Sequence, residues 1–78
     1  MKVIGFAERN FTAKDSGELI EGMYLYVTFE NNRTTGLACD RLYVSRRRLE
    51  LFGYNPSVGD DICPEYNRYG KISGIHLI

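Results

Sequence analysis

The sequence has no net charge, a single histidine, two cysteines and no long apolar run, and each shortage closes off a class of protein. Ten Lys and Arg offset ten Asp and Glu, so the chain lacks the global positive field of a protein that coats nucleic acid by charge alone. Any anionic partner must be met by a local patch. Cys39 and Cys63 have no metal-type spacing; with no secretory segment ahead of them they are expected to be reduced, packed thiols of a cytoplasmic protein. His76, the only histidine, lies in the apolar terminal stretch, without announced partners for acid-base chemistry or a metal, and is expected at a strand edge. Asp60 and Asp61 are neighbours; adjacent strand residues point to opposite faces, so they do not share a proton or an ion, and Asp60 reads as a turn residue. Phosphate-cradling glycine loops are absent. The expectation is therefore no enzyme, no metal and no cofactor. No segment approaches the roughly 18 apolar residues of a membrane span.

Seventy-eight residues suffice for one domain, 1–78, and not for two. A chain this short buries only about 60% of its unfolded surface, so its core is thin and self-association or a ligand is expected to support it. Val3, Ile4 and Phe6 open a first strand over 1–11, and Asp15, Ser16 and Gly17 mark the turn that ends it. The clearest strand covers 23–29, where Met23, Leu25, Val27 and Phe29 alternate with Tyr24, Tyr26 and Thr28. A polar break at 31–36 precedes a third strand over 37–44. Ser45 then caps a two-turn helix over 46–52 that Gly53 stops, and Leu49 and Phe52 must dock for so short a helix to persist. After turn chemistry at 54–60 come a strand over 61–66, in which Pro64 implies an edge or a bulge, a link at 67–70 and a last strand over 71–78. Core positions are expected at Val3 or Ile4, Leu25, Val27, Phe29, Leu49, Ile62, Ile75 and Leu77.

Three strands, a helix and two strands is the order of the five-stranded Greek-key OB barrel, with its helix between strands 3 and 4; an SH3-like small barrel is the structural rival. With its small size and its terminal hairpin, the chain resembles the helix-destabilising single-stranded DNA-binding proteins of filamentous phages and related mobile elements. That resemblance implies an OB fold that binds single-stranded nucleic acid, DNA in the first place, with little sequence specificity, as a homodimer or a larger array.

On such a barrel, the face of the second and third strands and the loops between strands 1 and 2 and between 4 and 5 hold a single strand. Tyr24 and Tyr26 point the same way on the second strand and are candidate stacking rings; the competing reading is a pair of ordinary cross-strand tyrosines. Tyr66, Arg68, Tyr69 and Lys71 interleave rings and cations around the last turn, and Arg41 is a candidate for the rim with Arg9 and Arg33. Arg46, Arg47 and Arg48 fan around a helix start, and their first reading is a solvated face; because they oppose the helix dipole with no structural gain visible in the sequence, phosphate contact is the open alternative. A protein-assembly module using the same aromatic face is the alternative function, since Tyr and Arg are enriched at interfaces.

Overall fold

The computed structural model describes residues 1–78 and is mostly β with one short helix. Its elements are β1 (Lys2–Glu8), β2 (Phe11–Thr12), β3 (Leu19–Ile20), β4 (Gly22–Glu30), β5 (Leu37–Ser45), α1 (Arg46–Phe52), β6 (Ile62–Tyr66) and β7 (Ile72–Leu77). No helix is long and apolar enough to cross a membrane. The alternating strand β4 is central and pairs antiparallel with β1 on one side and β5 on the other. The first expected strand is thus broken into β1 and β2, and β2 pairs with the short β3 around the turn at Gly17.

The hairpin β6–β7 is a separate ladder, with a register shift beside Glu65 and Tyr66 and with Pro64 inside a strand that has no second long partner. Its start is stitched to the start of β1: the Val3 amide donates to the Asp60 carbonyl at 2.8 Å, the Gly59 amide to that of Val3 at 2.8 Å and the Ile62 amide to that of Met1 at 2.8 Å. These bonds put the strands side by side in the order β7, β6, β1, β4, β5. The expected closed barrel does not form, because no ladder joins β5 to β7. Side chains including Tyr43, Tyr66 and Ile72 line the space between those two strands. One hydrogen bond crosses it, from the Arg48 guanidinium to the Ile72 carbonyl at 2.9 Å.

The helix is bounded as its residues dictate. The Ser45 hydroxyl accepts from the Arg48 amide at 3.3 Å, and Gly53, at φ 67°, turns its amide back to the Glu50 carbonyl. Leu49 is buried, and Phe52 packs against the core. Two of the three helix arginines have structural partners. Arg46 lies 2.7 Å from Glu8 and 4.0 Å from Glu21, and Arg48 spans the gap to Ile72, which offsets their unfavourable position in the first turn.

The core consists of Val3, Leu25, Val27, Leu42, Val44, Leu49, Tyr54, Ile62 and Ile75. Of the alternatives Val3 and Ile4 it is Val3 that is buried, and two further expected positions, Phe29 and Leu77, differ. Ile4 is exposed because the register shifts between Val3 and Gly5, Phe29 is only half-buried, and Leu77 is 64% exposed near the end of a strand whose outer edge has no neighbour. Leu42 and Val44 join through the inward alternation of β5, and Tyr54 is held by the Asp60 carboxylate, which accepts from its hydroxyl at 2.8 Å and from the Ser57 amide at 2.9 Å. Both cysteines are free, but neither is packed. Cys39 is exposed opposite Thr28, and Cys63 is exposed opposite His76.

Candidate functional site

Strand alternation that buries Leu25 and Val27 turns Tyr24 and Tyr26 to the other side of the sheet, and antiparallel register then decides what stands beside them. Tyr24 lies opposite Tyr43, Tyr26 opposite Arg41, and Thr28 opposite Cys39. The rings form a chain of contacts: Tyr26 to Tyr24 at 6.4 Å between centroids, Tyr24 to Tyr43 at 5.5 Å and Tyr43 to Phe11 at 5.7 Å. Arg41 lays its guanidinium 4.2 Å from the centroid of Tyr24. One face of Tyr24 is thereby taken by a cation and its flank by Tyr43, whereas Tyr26 stays exposed.

Arg41 also reaches the gap between β5 and β7, an open groove of about 550 Å³. Its lining is of two kinds, apolar and aromatic surface from residues such as Phe11, Tyr43, Tyr66 and Ile72, and three cations, Arg41, Arg48 and Lys71. No carboxylate lines it. A neighbouring hollow between β3 and the helix is lined instead by Glu18, Glu21 and Glu50 together with Arg46 and Arg47. Charge in this neutral chain is therefore segregated, and a local positive patch exists where the overall balance gives none.

Arg41, Tyr66 and Lys71 thus come together in the groove, and Tyr24 joins them through its stack with Arg41. Tyr26 is the outer end of the ring chain. Arg68 and Tyr69 do not line the groove; they occupy the turn between β6 and β7, where the Arg68 guanidinium lies 5.5 Å from the Tyr69 ring. Asn67 builds that turn by accepting from the Tyr69 amide at 2.9 Å and the Lys71 amide at 3.0 Å, which leaves Tyr69 75% exposed.

Sequence reasoning missed Tyr43 and Phe11, and left Arg48 among three helix arginines without singling it out. The signal for Tyr43 was present: it shares the alternation of Arg41 on the third strand, so any register that brings Arg41 to the aromatic face brings Tyr43 too. Burial pushes the Tyr43 phenol above its ordinary pKa, and the neighbouring Tyr24 adds to that while Arg9 opposes it. Its hydroxyl donates to the Arg9 carbonyl at 3.3 Å. His76 lies apart on the exposed β6–β7 surface, 2.9 Å from Glu65.

Comparison with protein-family models, curated proteins and solved structures finds no significant match to this chain.

Proposed function

We propose that the chain is a non-catalytic binder of single-stranded nucleic acid, DNA in the first instance, with little sequence specificity. The observation that carries this reading is the continuity, through Arg41, of a row of aromatic rings with a groove lined by cations and no carboxylate. Rings offer bases a face to stack on, and Arg41, Arg48 and Lys71 offer charge to phosphates. The strand order β7, β6, β1, β4, β5 supports an OB-type arrangement left open between its two ends, with the β2–β3 turn and the 67–70 turn flanking the face. A helix that precedes both strands of the final hairpin favours it over an SH3-like barrel.

Ring geometry adds a preference. Bases stacked along one strand are parallel and about 3.4 Å apart, whereas these rings are 5.5 to 6.4 Å apart and inclined at 48° to 71°. Each ring accordingly takes a base that has left its neighbours. Duplex is disfavoured because its bases are unavailable, and weakly stacked pyrimidine strands are favoured over purine strands. Binding the open strand alone destabilises secondary structure by mass action. The small size of the face makes a homodimer or a cooperative array the proposed working form.

The test is a titration of fluorescent oligo(dT), oligo(dA), RNA and duplex at low and moderate salt, with the mass of the complex measured in parallel. Tightest binding to oligo(dT), weakened by salt, supports the reading. Absence of binding to any single strand at low salt would reject it in favour of a protein-assembly module. Labelling locates the contact independently: bound oligonucleotide should slow maleimide reaction at Cys39, on the aromatic face, and leave Cys63 unaffected.

A further inference from the structure

Gly22 begins the central strand, where glycine offers no side chain to pack. Positive φ does not explain it. The glycines in the left-handed region are Gly17, Gly36, Gly53, Gly59 and Gly70, and Gly22 is not among them. Space explains it instead. A β-carbon at Gly22 would sit 2.6 Å from Cζ of Tyr43 and 2.8 Å from the Val44 carbonyl oxygen, closer than real β-carbons approach other atoms.

We infer that Gly22 is a positioning residue of the binding face: its bare α-carbon is the seat on which the Tyr43 ring lies, and that seat sets the order Phe11, Tyr43, Tyr24, Arg41. The inference rests on the function proposed above. Alternation along β4 puts Gly22 on the same side of the sheet as Tyr24 and Tyr26, diagonally across from Tyr43. The backbone of Gly22 is also tied to the segment that holds the tyrosine hydroxyl. Its carbonyl accepts from the Arg9 amide at 2.9 Å, its amide donates to the Asn10 side-chain oxygen at 3.3 Å, and the Arg9 carbonyl accepts from the Tyr43 hydroxyl. Seat and anchor therefore belong to one hydrogen-bonded unit.

Leaning toward Gly22, Tyr43 meets Phe11 and presents itself to Tyr24 at 71°, leaving the face of Tyr24 to Arg41. Any side chain at position 22 evicts the ring. The displaced Tyr43 would lose its hydrogen bond to Arg9 and compete with Arg41 for Tyr24, so a row of fixed rings would become mobile ones that must be ordered again on binding.

The test compares Gly22→Ala, Tyr43→Leu and the double variant in oligo(dT) affinity, with circular dichroism and urea unfolding to verify the fold and NMR to follow the Gly22 α-protons in the wild type and in Tyr43→Leu. Each single variant is expected to bind about fivefold more weakly or worse, the low end for loss of one base-ring stack. Relative to Tyr43→Leu, the double variant should lose much less than Gly22→Ala loses relative to the wild type, because the ring that needs the seat is gone and only the contact with the Val44 carbonyl remains. A folded Gly22→Ala with wild-type affinity, or one that weakens binding equally in the Tyr43→Leu background, overturns the inference. If Gly22→Ala does not fold, the NMR arm decides: a ring-current shift on the Gly22 α-protons that disappears in Tyr43→Leu supports the seat, and its absence from the wild type overturns it. Failure of the wild type to bind any single strand would reject the proposed function, while the ring-current shift would still report on the seat.

Discussion

The two faces of β4 are built from alternate residues of one nine-residue strand and answer to different physics. Inward, Leu25 and Val27 are fully buried among aliphatic neighbours, where any loss of volume leaves a cavity. Outward, Tyr24 and Tyr26 touch other rings and a guanidinium while partly open to water, where shape is tolerated and chemistry is available. The contrast teaches that the residues of the core and those of the proposed binding face are adjacent in sequence yet separable by substitution.

The strongest way to break that separation is to empty the inner face. Leu25→Ala should lower unfolding stability by about 2–5 kcal/mol, whereas Tyr26→Ala should change it by about 0.5 kcal/mol or less. Urea unfolding of the two variants checks both, and equal losses would mean that the faces are not independent.

On the outer face the expected order reverses. Tyr24→Ala combined with Tyr26→Ala should weaken oligo(dT) binding by about 1–3 kcal/mol per ring that holds a base, and the deficit should persist at moderate salt because stacking is not screened. The exposed Tyr26 should account for at least half of it, since Arg41 already covers one face of Tyr24. Single and double variants titrated side by side apportion the loss.

Charge sharpens the comparison further. Arg68→Ala with Lys71→Ala should flatten the plot of log affinity against log salt by about one unit for each phosphate that is no longer neutralised. Arg46→Ala should leave that slope unchanged, because Glu8 and Glu21 already engage its guanidinium. Stability should hardly respond in either case, as Arg68 and Lys71 stand on an exposed turn and the exposed ion pairs of Arg46 are worth about 0–1 kcal/mol.

The smallest effect belongs to alkaline pH, where the inner Tyr54 leads and the outer Tyr43, also raised, adds to it. Burial, the hydrogen bond to Asp60 and the charge of Asp60 all push the Tyr54 phenol above its ordinary pKa of 10.0. The folded chain therefore keeps a proton that the unfolded chain releases above about pH 10. This contribution to stability is complete below that value and declines as pH rises beyond it. Urea midpoints measured from about pH 9 to 11 should fall in the wild type and fall less steeply in Tyr54→Phe.

Much of this arrangement is legible in the residues themselves. Period-two alternation identifies β4 and its inner face, while Ser45, Gly53 and the apolar Leu49 and Phe52 define the helix with both its caps and its docked side. Arg41, Tyr66 and Lys71, chosen for their chemistry, line one groove together. The rest depends on partners distant in sequence. Ile4 and Leu77 look as apolar as Val3 and Ile75, and only a register shift and an unpaired strand edge expose them. Cys39 and Cys63 are small and apolar enough for a core but fall on outward registers.

Sequence alone determined the main strands and the helix, though not the β2–β3 hairpin, because alternation, capping and turn formation are local and involve residues a few positions apart. Tertiary structure decided which cations are free and which rings form a surface. Arg46 follows the helix cap and Arg41 lies mid-strand in β5, and pairing across the fold ties one to Glu8 and lays the other on Tyr24. Gly22 and Tyr43 are twenty-one positions apart in the sequence, and only the pairing of β4 with β5 makes the absence of one side chain the place where the other rests.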